Sequence, residues 1–325
     1  MVFQTELSYI LDTLRRNWNN THWWNTMFNR EVAGRYYQSV QGNDGIYVME
    51  QDWDNLLILD ACRFDLFEEV MRETDFEIPG QLEKVTSRGS GTPEFLRENF
   101  KGSRFDDTVY VTANPFSMKI IDDPFHETDH VWVDGWDDAE QTVLPEVVCD
   151  RTLAAEEKHP NKRLISHFMQ PHHPFVGDTR LENDPGLEWV RARATDGDVP
   201  DVQFVWERLG RGMVDAAEVW QAYRDNLIRA LDPIADLVQE LEGKTVITSD
   251  HGNGFGERLR PFPTRVYGHD ERIRIPALVD VPWFVVDSDG RKTITAASGE
   301  RADAATDRNT DERIEEKLKA LGYKN

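Results

Sequence analysis

Three short runs of mainly apolar or β-branched residues lead into polar side chains. The runs span positions 56–59, 163–169 and 245–248. Runs of this kind are typical of strands that are buried on both faces of a parallel sheet. The first run ends at Asp60, the second leads to His172, and the third leads to Asp250. Because the carboxyl ends of parallel strands lie at one edge of a sheet, we expect these polar residues to meet there.

Elsewhere the apolar positions follow the spacing of amphipathic helices. Such helices are predicted after the Asp60 strand, over 144–158 and over 219–241. Pro233 is expected to kink or restart the last of them. Further short strands are predicted at 109–112, 131–133 and 283–286. Strands that alternate with helices in this way predict an α/β fold with a central, mostly parallel sheet.

Composition divides the chain into three parts. Residues 1–50 are predicted to be an aromatic-rich, helical N-terminal appendage, 51–290 the main domain, and 291–325 a polar C-terminal tail with a short helix. The appendage begins with an amphipathic pattern from Thr5 to Arg16. It is expected to pack on the main domain, with a membrane-surface or protein interface as the alternative. The polar stretch from Asp178 to Gly212 is predicted to be a flexible cover over the sheet edge.

The charge balance argues against some partners and compartments. The chain has 60 acidic and 37 basic residues and a net charge of -23 at pH 7, and it lacks the basic patch that nucleic-acid binding needs. An acidic, lysine-poor surface is what the high-salt cytoplasm of a halophile favours. Cys62 and Cys149 have no metal-type spacing, so we expect buried thiols in a reducing compartment. We expect neither a signal peptide nor a transmembrane segment, which predicts a cytoplasmic protein.

The strand that ends at Asp250 continues into His251 and a glycine-rich loop. A carboxylate oxygen and a ring nitrogen at one point suit a divalent metal such as zinc or manganese. For this dipeptide alone, the alternative is a loop aspartate that caps a helix beside a histidine at the edge of the core. Asp60 supplies a second carboxylate at the same sheet edge, and this favours the metal site.

Positions 89–94 read Gly-Ser-Gly-Thr-Pro-Glu, which is typical of a tight turn that leads into a helix. Thr92 is predicted to be the N-cap, Pro93 the first helical residue and Glu94 part of an acidic first turn. Ser90 then lies just before a helix N-terminus, where negative charge on an alkoxide, phosphate or sulfate is favoured. A serine-glycine turn without chemistry is the alternative. Thr92 is expected to be a cap rather than a nucleophile.

Five motifs, taken in order, resemble the alkaline phosphatase and sulfatase superfamily, especially its sulfatase-like branch and haloarchaeal proteins of that type. The resemblance spans residues 50–286. The motifs are Leu56-Leu57-Ile58-Leu59-Asp60-Ala61-Cys62-Arg63, Gly89-Ser90-Gly91-Thr92-Pro93-Glu94-Phe95, Met169-Gln170-Pro171-His172-His173-Pro174-Phe175, Ser249-Asp250-His251-Gly252, and Tyr267-Gly268-His269 with Ile275-Pro276.

The resemblance implies an alkaline-phosphatase-like sandwich with helices on both faces of the sheet. It also implies that Asp60, Asp250 and His251 hold a divalent metal ion (Zn, Mn, Mg or Ca) that binds the Ser90 oxygen. Such a metal would lower the pKa of the hydroxyl and offset charge on the ester oxygens. One well-formed metal site is implied, and a second is left open.

The resemblance also gives roles to residues around the metal. His172 and His269 would contact ester oxygens, hold a second metal or protonate the leaving group, with His173 beside them on the substrate side. Arg63 and Arg88 are candidate anion contacts, and an ion pair is the alternative for each. The choice of nucleophile between Ser90 and Thr92 is left open.

The chain departs from sulfatases in two places. Ala61 stands where they carry a second adjacent acid, and the formylglycine-forming cysteine motif is absent around Ser90. A serine in this slot favours phosphate esters over sulfate esters. The prediction is therefore a metal-dependent hydrolase or transferase of phosphate or sulfate esters.

The expected substrate is an anionic small molecule or a glycan ester. One alternative function is a catalytically inactive, sulfatase-like binding or assembly protein in surface-glycan metabolism. A second is a structural or membrane-surface protein built around the aromatic N-terminus. A homo-oligomer is left open.

Overall fold

Strands alternate with helices through the part of the chain that the computed structural model describes, which is residues 15, 17–74, 76, 78–182, 204–288 and 290–296. The strands are β1 (Asn55–Asp60), β2 (Gly80–Thr86), β3 (Phe105–Thr112), β4 (Phe125–His130), β5 (Trp136–Asp137), β6 (Thr142–Val143), β7 (Arg163–Pro171), β8 (Thr245–Ser249), β9 (Gly254–Arg258), β10 (Arg265–Gly268) and β11 (Asp280–Val286). The α-helices are α1 (Thr21–Phe28), α2 (Gly34–Val40), α3 (Phe64–Glu73), α4 (Thr92–Phe100), α5 (Ser117–Ile120), α6 (Pro145–Lys158), α7 (Val205–Gly210), α8 (Ala216–Glu240) and α9 (Pro276–Val279). A π-helical turn covers Asn29–Ala33, and 3₁₀ turns cover Val48–Glu50 and Val131–Val133.

Seven strands form the main sheet, in the order β2-β11-β8-β1-β7-β3-β4. The central strand β1 is parallel to both β7 and β8, and β3 is parallel to β7 and β4. The strand β11 is antiparallel to both of its neighbours, β8 and β2. Every residue of β1 is buried, as a continuous apolar run predicts. The predicted α/β fold with a mostly parallel central sheet is confirmed.

Helices cover both faces of this sheet, as predicted. Side chains along β1 alternate between the faces, so Leu57 and Leu59 join one core cluster and Leu56 and Ile58 join another. Buried residues of α3, α6 and α8 belong to the first cluster, and buried residues of α4 belong to the second. The edge at which β1, β7 and β8 end is therefore the place where polar side chains collect.

A third and smaller core cluster joins the N-terminal helices to the antiparallel hairpin of β9 and β10. Ala33 and Tyr37 pack there against Val266, whereas Trp18 and Trp24 remain exposed. Part of the appendage thus packs on the main domain. None of the helices in the described ranges is long and apolar enough to cross a membrane.

Two local predictions are wrong, and others lie outside the described residues. Val131–Val133 forms a 3₁₀ turn rather than a strand. The helix α8 does not restart at Pro233 but continues past it to Glu240, and a kink there stays a prediction. The edge strands β2 and β4 were not predicted, because all their side chains except that of Phe125 are exposed or only partly buried and give no apolar run. The divisions at residues 50 and 290 stay predictions. Apart from Arg15, the predicted helix from Thr5 to Arg16 lies outside the described residues, as do 183–203 of the predicted cover and most of the C-terminal tail.

Candidate metal centre

Two carboxylates meet at the sheet edge because β1 and β8 are adjacent parallel strands. Leu59 pairs with Ser249 in their register, so the residues that follow, Asp60 and Asp250, leave the sheet side by side. Both are buried, with 2% and 0% of their surfaces exposed. The convergence that the sequence predicted is therefore a consequence of strand register.

Each carboxylate has one oxygen that is hydrogen-bonded and one that is not. Asp250 Oδ1 accepts hydrogen bonds of 2.9 Å from the backbone N–H groups of Ala61 and His251. Asp60 Oδ2 accepts one of 2.7 Å from Asn114 Nδ2. The other two oxygens, Asp60 Oδ1 and Asp250 Oδ2, are buried and have no hydrogen-bond partner among the described residues. Buried carboxylate oxygens without partners destabilise a protein unless a cation binds them.

His251 completes a set of three ligands. Its Nδ1 lies 2.8 Å from the carbonyl oxygen of Gly252, so a neutral ring donates there and keeps a lone pair on Nε2. That Nε2 lies 3.5 Å from Asp250 Oδ2 and 3.7 Å from Asp60 Oδ1. Ligand atoms of a tetrahedral site with bonds of about 2.1 Å lie about 3.4 Å apart. The set therefore fits one divalent ion, and its ligand atoms lie within 4.8 Å of one another.

The electrostatics of the two acids also point to a cation. Burial and the charge of Asp250 raise the pKa of Asp60 well above its ordinary value. Burial acts to raise the pKa of Asp250 as well, but the neighbouring imidazoles and the Ala61 N–H outweigh it, and that pKa is lowered. A divalent ion would remove the conflict, because it stabilises both carboxylates in their charged form.

The hydroxyl beside this ligand set belongs to Thr92, the first residue of α4. Its Oγ1 lies 3.2 Å from His251 Nε2 and 3.5 Å from Asp60 Oδ2. The prediction that Thr92 is the N-cap is wrong, because Gly91 takes that position. The Thr92 hydroxyl therefore has no capping role and lies at a helix N-terminus, where the dipole favours negative charge.

Ser90, which was expected to bind the metal, lies elsewhere. Its Oγ is 2.8 Å from Glu94 Oε2 and 2.9 Å from the backbone oxygen of Asp270, and it accepts a hydrogen bond of 3.2 Å from the N–H of Ile273. The side chain thus ties the start of α4 to the loop after β10. The hydroxyl at the ligand set is two residues further along the chain, and we correct the expectation from Ser90 to Thr92.

A cavity of about 230 Å³ lies beside the ligand set. His172, His173 and His269 line it, together with Asp60 and Thr92. The backbone N–H of His172 donates to the carbonyl oxygen of Asp60 at 3.1 Å, which fixes the histidine loop against the end of β1. The structure therefore brings the predicted histidines to the predicted acids.

The rings of His172 and His269 are neutral near pH 7. Burial lowers the pKa of His172 to about 4 and holds the pKa of His269 well below its ordinary value. The Nδ1 atom of His172 lies 2.7 Å from the carbonyl oxygen of His173, and that of His269 lies 2.9 Å from Asn253 Oδ1. A neutral ring that donates through Nδ1 keeps a lone pair on Nε2. Each of the two rings can therefore accept a proton or bind a metal.

Two further polar residues belong to the surroundings of the centre. Asn114, which sequence reasoning missed, lies two residues after the end of β3, as Asp60 lies at the end of β1, so the same strand-end argument could have found it. The other is His167, within β7. It is fully buried, with Nδ1 2.8 Å from the Tyr110 hydroxyl and Nε2 3.8 Å from Asp250 Oδ2. The sequence feature that could have pointed to His167 is a histidine inside the apolar run of β7.

The two arginines predicted as anion contacts do not line the cavity. Arg63 forms ion pairs of 2.6 Å with both Asp65 and Glu257. Arg88 pairs with Glu98 at 3.0 Å. Both arginines therefore form ion pairs outside the cavity, which was the alternative prediction for each.

Comparison with known proteins gives a likeness in structure only. No family model and no curated protein matches the sequence. One similar solved structure is lipooligosaccharide phosphoethanolamine transferase A, an integral membrane protein from Neisseria meningitidis, with a TM-score of 0.46 and 12% identity. That match covers 71% of this chain and 47% of the transferase, so this chain spans about half the length of that protein.

Two more structures show a likeness of the same order. The periplasmic domain of the phosphoethanolamine transferase EptC from Escherichia coli, in complex with Zn, has a TM-score of 0.42 and 12% identity and covers 76% of each chain. A putative sulfatase from Bacteroides thetaiotaomicron has a TM-score of 0.39 and 12% identity, over 76% of this chain and 66% of that one. These three similar structures are thus two phosphoethanolamine transferases and one putative sulfatase.

Proposed function

We propose that this protein is a metal-dependent hydrolase or transferase of phosphate or sulfate esters, with Thr92 as its nucleophile. One observation carries the proposal: Thr92 Oγ1 lies beside His251 Nε2 and the two buried carboxylates whose free oxygens have no partner. A hydroxyl, two acids and an imidazole at one point suit a divalent cation and an activated oxygen nucleophile.

The ligand set assigns a role to each residue around the cation. Asp60, Asp250 and His251 would hold it, and the Thr92 oxygen would complete the set. When bound, a divalent cation lowers the pKa of a hydroxyl and offsets the charge that gathers on ester oxygens. Asn114 fixes one oxygen of Asp60 and so sets the direction of the other. Zinc or manganese fits this mixture of oxygen and nitrogen ligands.

The chain itself supplies the groups that move protons and stabilise charge. The N-terminus of α4 favours negative charge on Thr92 Oγ1, because the positive end of the helix dipole lies there. His172 and His269 are neutral, so either can accept the proton of the hydroxyl or of an attacking water. Once protonated, the same ring can donate to the departing alcohol oxygen.

The reaction would proceed in two displacements at phosphorus or sulfur. Thr92 Oγ1 forms a bond to this atom as the bond to the ester oxygen breaks, and the alcohol leaves with a proton from His172 or His269. Water then displaces the threonine oxygen in a hydrolase, and a second alcohol does so in a transferase. In both cases the Thr92 hydroxyl is regenerated.

We place phosphate esters first and sulfate esters second. The hydroxyl at the centre belongs to a threonine, and the chain lacks the cysteine motif from which sulfatases form formylglycine. We also propose a cytoplasmic location in a high-salt cell, which the net charge of -23 supports.

An ester panel with metal analysis tests the proposal. Purified protein loaded with manganese or zinc would be assayed against an aryl phosphate, an aryl phosphodiester and an aryl sulfate. We expect turnover of at least one ester, loss of turnover after chelation, and loss of turnover in Thr92→Ala. A protein that binds metal and hydrolyses or transfers none of the esters would instead favour the non-catalytic binding function.

A further inference from the structure

Aromatic side chains form part of the wall of the cavity beside the metal centre. Phe204, Trp206 and Tyr267 line this cavity, as do Asp60 and Thr92 of the metal centre. An ester whose anionic group is bound at the metal centre therefore has these aromatic side chains available to its alcohol part. The volume of about 230 Å³ is below the roughly 300–1,000 Å³ of pockets for drug-sized ligands. The wall is therefore suited to one small ring.

The ring of Trp206 is fixed by its packing. Gly268 lies so close that a Cβ atom there would be 2.7 Å from the indole ring. Phe255 packs edge-on against the same ring, with 5.3 Å between the ring centroids. A side chain held in this way presents its surface in a constant orientation, as a recognition site needs.

Two polar side chains in the cavity wall are buried and have no hydrogen-bond partner among the described residues. They are Trp206, with Nε1 unpartnered and 8% of its surface exposed, and His173, with both ring nitrogens unpartnered and 2% exposed. Burial lowers the pKa of His173 well below its ordinary value, so its ring is neutral and offers one donor and one acceptor. The indole N–H can only donate. Buried polar groups of this kind are stabilised when a ligand supplies the partner.

The charges around the cavity exclude some ligands. None of the described residues that line it is a lysine or an arginine. Outside the metal centre, the charged lining residue is Glu207, which pairs with Arg211 at 3.2 Å. An anionic alcohol part would face this carboxylate without a cation from the wall. An ammonium group could not accept a hydrogen bond from the indole of Trp206.

We propose that Trp206 and His173 form a subsite for the alcohol part of the ester, and that this part is uncharged, carries hydroxyl groups and has an apolar face, as a neutral sugar ring does. A hydroxyl oxygen accepts from Trp206 Nε1, and another hydroxyl exchanges hydrogen bonds with His173. The apolar face packs on Phe204 and Tyr267. The proposed function underlies this inference, because it sets which end of the ester lies at the metal.

Binding of four matched esters to the zinc-loaded protein, measured by calorimetry, tests the subsite without requiring turnover. The esters are glucosyl phosphate, glucuronosyl phosphate with an added carboxylate, glucosaminyl phosphate with an added ammonium, and cyclohexyl phosphate, which has the ring and no hydroxyl groups. We expect glucosyl phosphate to bind most tightly. Cyclohexyl phosphate should bind about fivefold or more weakly, which is the effect of one net hydrogen bond of about 1 kcal/mol. The two charged sugars should bind more weakly than glucosyl phosphate.

Three variants assign the effect to particular atoms. Trp206→Phe keeps an aromatic ring and removes the N–H. The affinity of this variant for glucosyl phosphate should therefore be about fivefold lower, and its affinity for cyclohexyl phosphate should be unchanged. His173→Phe should act in the same direction. Trp220→Phe is the matched control, because Trp220 packs on Phe255 and does not line the cavity. It should leave the affinity for both esters unchanged.

The outcomes separate this inference from the proposed chemistry. Equal affinities for glucosyl and cyclohexyl phosphate, equal losses for both in Trp206→Phe, or no binding of any of the four would overturn the subsite. Turnover of aryl esters is measured alongside. If aryl esters are turned over but the four esters bind with equal affinity, only the subsite is contradicted. If the four esters bind in the expected order but no ester is turned over, only the proposed chemistry is contradicted.

Discussion

Separate alanine substitutions at Thr92 and Ser90 distinguish the two hydroxyls near the start of α4. Thr92→Ala removes the oxygen that lies 3.2 Å from His251 Nε2 and 3.5 Å from Asp60 Oδ2. If this oxygen is the nucleophile, kcat should fall by about 10⁴-fold or more, as it does when hydrolases lose theirs. The three other ligands remain, so the variant should still bind metal. Thr92→Ser keeps the hydroxyl and should restore most of the activity.

The same change at Ser90 should act on stability instead. Ser90→Ala removes the acceptor of the Ile273 N–H and a partner of Glu94 Oε2. A buried polar group that loses its partner costs about 1–3 kcal/mol. Each kcal/mol lowers Tm by about 2–4 °C. We therefore expect a lower Tm for Ser90→Ala, with kcat reduced by about tenfold at most, because Ser90 contacts Glu94, Asp270 and Ile273 and none of the groups that the proposal places in the reaction.

Three measurements on the same preparations decide between the two hydroxyls. They are the turnover of an aryl ester, the metal content, and thermal unfolding followed by circular dichroism. Our assignment of the nucleophile would be refuted if Ser90→Ala lost turnover with normal metal content and normal Tm while Thr92→Ala stayed active.

The remaining predictions concern the metal ligands and one arginine. Asp250→Asn should lose bound metal, measured by elemental analysis, together with about 10³-fold or more of kcat; a variant with full metal content would contradict the ligand assignment. The pKa of Asp60 is raised on folding, so the metal-free protein should lose stability as pH rises from the unfolded-state pKa through the raised one. Asp60→Asn should therefore have a higher Tm than the parent in chelator at neutral pH, and zinc should no longer raise its Tm; a lower Tm in chelator would count against this. Arg88→Met should lower Tm through the lost ion pair with Glu98 and leave KM within about twofold, whereas a large rise in KM would place Arg88 at the substrate.

The acids of the centre could be predicted from sequence because one rule governs both. A buried parallel strand needs a continuous apolar run, and its first polar residue then marks the sheet edge. Asp60 and Asp250 each follow such a run, and β1 and β8 are neighbours in register. His172 was found in the same way, at the end of β7. This part of the site depends only on patterns that the sequence shows directly.

The hydroxyl that we propose as the nucleophile could not be predicted in the same way, because its place depends on where one helix begins. The N-cap, Gly91, has an extended backbone with φ of -172° and ψ of 153°, so Thr92 is the first residue of the helix and Ser90 lies before it. With Gly91 as the N-cap, Thr92 points to the ligand set and Ser90 points to the loop after β10. The sequence analysis placed the N-cap one residue later, at Thr92. It therefore expected the Ser90 hydroxyl, and not the Thr92 hydroxyl, at the metal ligands.

The assignment of the metal ligands depends on which carboxylate oxygens lack a hydrogen-bond partner. Only the tertiary structure shows which oxygens these are. Asn114 engages one oxygen of Asp60, and the N–H of Ala61 engages one oxygen of Asp250. Ala61 makes this contact from a left-handed backbone, with φ of 60°, which is unfavourable for a residue with a Cβ atom. The strained Ala61 and the buried charge of Asp60 both destabilise the folded chain when no cation is bound. The cation that we propose would offset both, whereas packing alone gives no reason for their coincidence at one point.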